Sequence, residues 1–76
     1  MSDAIVRAAR DYVLGRHAPN WTSVLTRLRD ETDSDEQKAF ADEVIGIVEK
    51  QGRQPKQARA AVRDLLKRNG VEVLGR

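Results

Sequence analysis

The chain has 76 residues, no cysteine, a single histidine, 34% charged residues and a net charge of +2. That length supports one domain, residues 1–76, which buries only about 60% of the surface its unfolded chain exposes and depends on packing alone. Without cysteine there is neither a disulfide framework nor a thiolate metal site, which fits an intracellular protein.

The opening stretch, "MSDAIVRAARDYVLG", lacks the apolar core of a secretion signal, and Asp3 and Asp11 argue against a transit peptide. No apolar run approaches the roughly 18 residues of a membrane span. The expected location is the cytoplasm. Within this stretch Ile5, Ala8, Ala9, Tyr12 and Val13 recur at helical spacing, with Ser2 or Asp3 as cap and Gly15 as stop. In the connector "RHAPN", Pro19 disfavours helix through His17 and Ala18, and His17 reads as a surface loop residue.

A second helix starts after Asn20, its expected N-cap. Trp21, Val24, Leu25 and Leu28 fall at i, i+3, i+4 and i+7 on one inward stripe, with Trp21 as a core anchor. "DETDSDEQ" then interrupts the pattern and restarts it. Ser34 and Gln37 form a capping box, while Asp35 and Glu36 suit the positive end of a helix dipole. The third helix runs to about Gln51 with Phe40, Ala41, Val44, Ile45, Ile47 and Val48 on a broad inner arc, and Gly52 is placed to end it. Pro55 fits the first turn of a fourth helix, where its missing N–H costs nothing. That helix turns Ala58, Ala61, Val62, Leu65 and Leu66 inward. Asn69-Gly70 closes it with a left-handed cap, and Val71 is positioned for the accompanying apolar contact. "VEVLG" alternates like one short strand with nothing to pair with. The expected fold is all-α: a small compact bundle of four helices with a short extended C-terminal tail.

Charge is distributed in blocks. Residues 30–49 carry eight acids against Lys38, whereas residues 50–76 carry eight bases against Asp64 and Glu72. Such a division can steer a charged partner, or be neutralised internally when an acidic helix lies on a basic one.

Catalytic groups do not converge. One histidine, no cysteine and serines only at 2, 23 and 34 assemble no triad, and the scattered glycines form no phosphate loop. His17 has no second histidine at zinc-ligand spacing. Asp35, Asp42 and Glu49 share one helix face, but at about 10 Å per seven residues they are too far apart to share a ligand. They read as a second, acidic face. Neither a catalytic residue, a metal ligand, a cofactor nor a small-molecule substrate is expected.

The basic residues have more to say. Lys56, Arg59, Arg63 and Lys67 gather in one arc nearly opposite the leucine stripe, and Arg53 precedes them in the turn. Arg59–Arg63 and Arg63–Lys67 are like-charge i, i+4 neighbours that cost a few tenths of a kcal/mol each. A helix selected for stability alone alternates signs. The order helix, turn, basic helix over residues 40–70, followed by a tail to 76, resembles in outline a helix-turn-helix core with a truncated wing. Against DNA reading stand the length of the preceding helix, its outward acids facing where phosphates would lie, and a reading face poor in Asn, Ser and Thr. Arg7, Arg10 and Arg16 form a thinner basic row that reads as ordinary solvation. Membrane-surface binding is disfavoured because the apolar helix faces are needed for the core.

The functional expectation is therefore a non-enzymatic regulatory protein that docks on a larger macromolecular machine through its basic helix face. Small regulators of transcription, phage-borne ones among them, share this character as a class. The contact row is Arg53, Lys56, Arg59, Arg63 and Lys67, with Asp35, Asp42 and Glu49 as the second face. The ligand is a larger protein with an acidic surface or nucleic acid. The alternatives are direct DNA binding by the residue 40–70 unit and a bundle that self-associates.

Overall fold

The computed structural model describes residues 3–73, and its order is α1 (Asp3–Val13), α2 (Trp21–Glu31), α3 (Asp35–Gln51) and α4 (Pro55–Arg68). Each helix starts or stops where local chemistry directs it. The amide of Gly15 donates to Tyr12 O and that of Arg16 to Asp11 O, with Gly15 at φ 73°. This is the Schellman arrangement, in which a left-handed residue satisfies carbonyls the helix leaves unpaired. It recurs at the end of α4, where Gly70 at φ 81° donates to Lys67 O and Val71 to Leu66 O. Val71 then packs against the core.

The starts are less regular. Ser34 Oγ accepts from the Gln37 amide at 3.2 Å, as a capping box requires. Its reciprocal half is replaced: Gln37 Oε1 accepts from the Thr32 hydroxyl, which in turn accepts from the Ser34 amide. Asn20 occupies the N-cap position of α2 without a side-chain cap bond. Ser2 lies outside the described residues, as do Leu74, Gly75 and Arg76 of the tail. Residues 71–73 carry no regular structure.

The helices form a ring in chain order. Sequence neighbours pack on each other, α4 closes onto α1, α1 touches α3 lightly, and α2 and α4 do not meet. The radius of gyration, 11.2 Å, agrees with the ~11 Å expected of a compact chain of this length. Among the described residues every buried side chain is apolar or aromatic, with Ile5, Leu25, Val44, Val62 and Leu66 at the centre. Four of the buried residues are alanines (Ala8, Ala9, Ala41 and Ala58), whose small side chains favour close approach of helix axes.

Trp21 joins α1 to α2. Its Nε1 donates to Ala8 O at 2.8 Å and its ring stacks on Tyr12 at 4.8 Å. The indole thus buries its apolar body while satisfying its one donor.

Two expectations are corrected. Val24 is 42% exposed instead of facing inward. At 100° per residue it lies about 80° from the midpoint of Trp21 and Leu25. Because α4 never reaches α2, only a narrow stripe of α2 is covered. His17, expected at the surface, is half-buried: the reversal at Gly15 folds it back so that its ring lies 4.9 Å from Tyr12 and 5.9 Å from Trp21.

Leu66→Ala should cost about 3 kcal/mol, a large share of the ~5–15 kcal/mol available to a natural domain. Trp21→Phe should cost about 1 kcal/mol from the lost bond alone. Urea unfolding followed by circular dichroism measures both.

Candidate functional site

A three-residue turn, Gly52-Arg53-Gln54, delivers the chain from α3 into α4, with the Gln54 amide donating to Gln51 O at 2.8 Å. Gly52 has ordinary right-handed geometry (φ −60°), so it does not end α3 by a left-handed cap. A Cβ there would lie 2.5 Å from Val48 O, so the tightness of the turn excludes a side chain. Pro55 occupies the start of α4 as its fixed φ favours. The rigid turn sets the rotation of α4, with Ala58, Val62, Leu65 and Leu66 buried and the basic row facing away.

Lys56, Arg63 and Lys67 are exposed and Arg59 is half-buried. All four line one groove of about 460 Å³ between α4 and the end of α1, together with Val13 and Asp64. Arg53 is exposed in the turn and lies outside this groove. Four of the five expected contact residues are therefore brought together, and the fifth is not.

Arg59 differs from its neighbours. Its Nη2 comes within 3.8 Å of where a Cβ on Gly15 would sit, and its buried Nε has no acceptor among the described residues. The guanidinium thus rests over the C-terminal turn of α1, where the helix dipole favours a cation. A desolvated donor without an acceptor carries a penalty of about 1–3 kcal/mol, an unusual expense for a solvated helix face.

The acidic residues do not neutralise the row. The described ion pairs are Arg29 with Asp42 at 2.7 Å, Arg29 with Asp30 at 3.3 Å, and Arg68 with Asp64 at 3.1 Å. Asp42 thus binds α2, not α4, and its hydrogen bond raises the Arg29 pKa above the ordinary guanidinium value. Asp35 and Glu49 are exposed, and Glu49 lines a separate depression with Glu43, Lys50 and Arg68. The three acids form a dispersed stripe, and internal pairing of the acidic helix with the basic row is absent among the described residues.

On the far side of α1, Arg7 and Arg16 flank a shallow groove of about 320 Å³ floored by Ala8, Trp21, Val24 and Leu28. Sequence periodicity had no means of finding this groove, since it placed Val24 in the core. Among the described residues no cluster of His, Cys, Asp or Glu could hold a metal ion, and no helix is long and apolar enough to cross a membrane.

No family model, no curated protein and no solved structure matches the chain. The face offers four cations along one helix, one of them the half-buried guanidinium of Arg59, beside the apolar Val13.

Neutralising a residue in the middle of this row should stabilise the fold. Arg63→Gln removes two like-charge i, i+4 neighbours, Arg59 and Lys67, and stability should rise by about 0.5 kcal/mol at low salt. The gain should shrink at high salt as the repulsion is screened. Thermal unfolding at two ionic strengths reads this directly, and a loss of stability would mean that Arg63 has an internal partner.

Proposed function

We propose that this protein is a cytoplasmic, non-enzymatic regulator that docks on the acidic surface of a larger protein through the groove lined by Lys56, Arg59, Arg63 and Lys67. The observation that carries this reading is that no described ion pair involves any of the four cations, although the chain holds 12 acids. Like charges held side by side without internal compensation reduce stability and favour an external anion. A small bundle without convergent catalytic groups has its surface as its means of action.

Protein is favoured over nucleic acid by the composition of the groove. Asp64 lies within it, and Glu72 stands beside Arg63 and Lys67 in the adjoining depression. Fixed carboxylates at those positions repel a continuous phosphate chain, whereas a folded partner can place a neutral or basic side chain opposite them. The exposed face of α4 also offers Gln57 alone among the amide side chains that read adenine.

Amide NMR titrations decide the matter. With polyglutamate, the resonances of residues 56–67 should shift at low and at physiological salt. With random-sequence duplex DNA, any shift at low salt should vanish at physiological salt. Duplex binding that persists there would overturn the proposal in favour of DNA recognition, and a spectrum unmoved by either polymer would remove the basic face as a docking site.

A further inference from the structure

The groove does not end with the four cations. A depression around Gln54, Pro55 and Gln57 shares Lys56 and Arg59 with it, and a third, formed by Val71, Glu72 and Val73, shares Arg63 and Lys67. Together they make a trough along the whole of α4, about 18 Å from Pro55 to Lys67 at 1.5 Å per residue. Its apolar points lie at the end of α1 (Val13) and in the tail (Val71 and Val73), and all three side chains are only partly buried.

We infer that this trough seats one acidic amphipathic α-helix of a protein partner, about three turns long, whose carboxylates meet the α4 row and whose apolar edge rests on Val13 and Val71. This inference deepens the docking role proposed above and rests on it. Three features specify the occupant.

The first is pitch. Lys56, Arg59, Arg63 and Lys67 are separated by steps of 3, 4 and 4 residues, a total rise of about 16 Å. Carboxylates on an opposing helix at i, i+3, i+7 and i+11 repeat the same rise. Same-face side chains of an extended peptide recur every ~6.6 Å, so four of them span about 20 Å and lose register by the last cation. The second feature is the apolar content. A uniformly charged polymer leaves Val13, Val71 and Val73 without a counterpart, whereas an amphipathic helix covers them and removes them from water.

The third feature is the arrangement of charge across the trough. Asp64 is already joined to Arg68 at 3.1 Å, and Glu72 stands at the lower end next to Lys67. These carboxylates confine the acceptor zone to one stripe, so the occupant must be acidic on one edge only. Arg59 supplies orientation, because its packing over Gly15 fixes the guanidinium before a carboxylate arrives.

The test uses the full chain and two capped helical peptides of equal length and equal charge. Both carry glutamates at i, i+3, i+7 and i+11. One has leucines along the adjoining edge, and the other has glutamine in their place. Calorimetric titration at physiological salt should give at least about tenfold tighter binding for the leucine peptide, the equivalent of partly burying one leucine. Val13→Ser should reduce that preference several-fold, while Arg63→Gln should weaken both peptides. Should Val13→Ser fail to fold, Val71→Ser at the other apolar point serves the same purpose, and the comparison of peptides on the unaltered chain stands by itself. Equal affinity for the two peptides would overturn the amphipathic occupant while leaving acidic docking intact. Binding of neither would overturn both.

Discussion

The arrangement depends on the double burial of α1. This helix is only 11 residues long, below the length at which an isolated helix is stable in water. It persists because Ile5, Ala8, Ala9 and Tyr12 are covered, by α2 on one side and α4 on the other. Trp21 secures the first of these contacts through a single hydrogen bond to Ala8 and a stacked ring. The second contact brings Val13 and the reversal at Gly15 against α4, which creates the wall of the cationic groove. Core and candidate site are thus products of the same helix.

Charge separation in the sequence becomes spatial separation in the fold. Acidic α3 and basic α4 are neighbours, but they meet through their apolar faces, so their charged faces point apart. Of the outward acids of α3, Asp42 takes Arg29 of α2, whereas Asp35 and Glu49 stay exposed. The basic row of α4 is left to face the end of α1, which contributes the apolar Val13 to the groove. A chain with nearly balanced charge thereby holds a groove with four cations and one carboxylate, Asp64. Net charge is a poor guide to such a surface, because potential follows the local arrangement of groups.

The four helices, the burial of most of their inner faces and the left-handed glycines at 15 and 70 were legible in the sequence. Each follows from local rules of period, capping and turn chemistry. So was the gathering of Lys56, Arg59, Arg63 and Lys67, which needs only the helical repeat. What escaped was set by tertiary neighbours. Val24 sits on the apolar stripe of α2, yet its exposure depends on the absence of a third helix beside α2. His17 looked like a loop residue, yet its packing on Tyr12 depends on the direction in which Gly15 returns the chain. Gly52 signalled an end to α3 correctly, but the reason for a glycine there, the nearness of Val48 O, belongs to the turn geometry. Arg59 could not be distinguished from its neighbours on the row until α1 was known to lie beneath it, and Arg53 could not be separated from them until the turn was placed.

The ring order of the helices also bears on how the protein folds. Three of its four main interfaces join helices adjacent in sequence, which form with little loop-closure entropy, and such local contacts favour rapid folding. The exception is the closure of α4 onto α1, which spans nearly the whole chain. That closure also builds the groove, since Val13 and the four cations meet only across it. A partly folded chain can therefore keep its three sequence-neighbour interfaces and still lack the proposed docking surface. Recognition by a partner, as proposed, would then report on completion of the fold, and binding would stabilise the contact with the largest sequence separation.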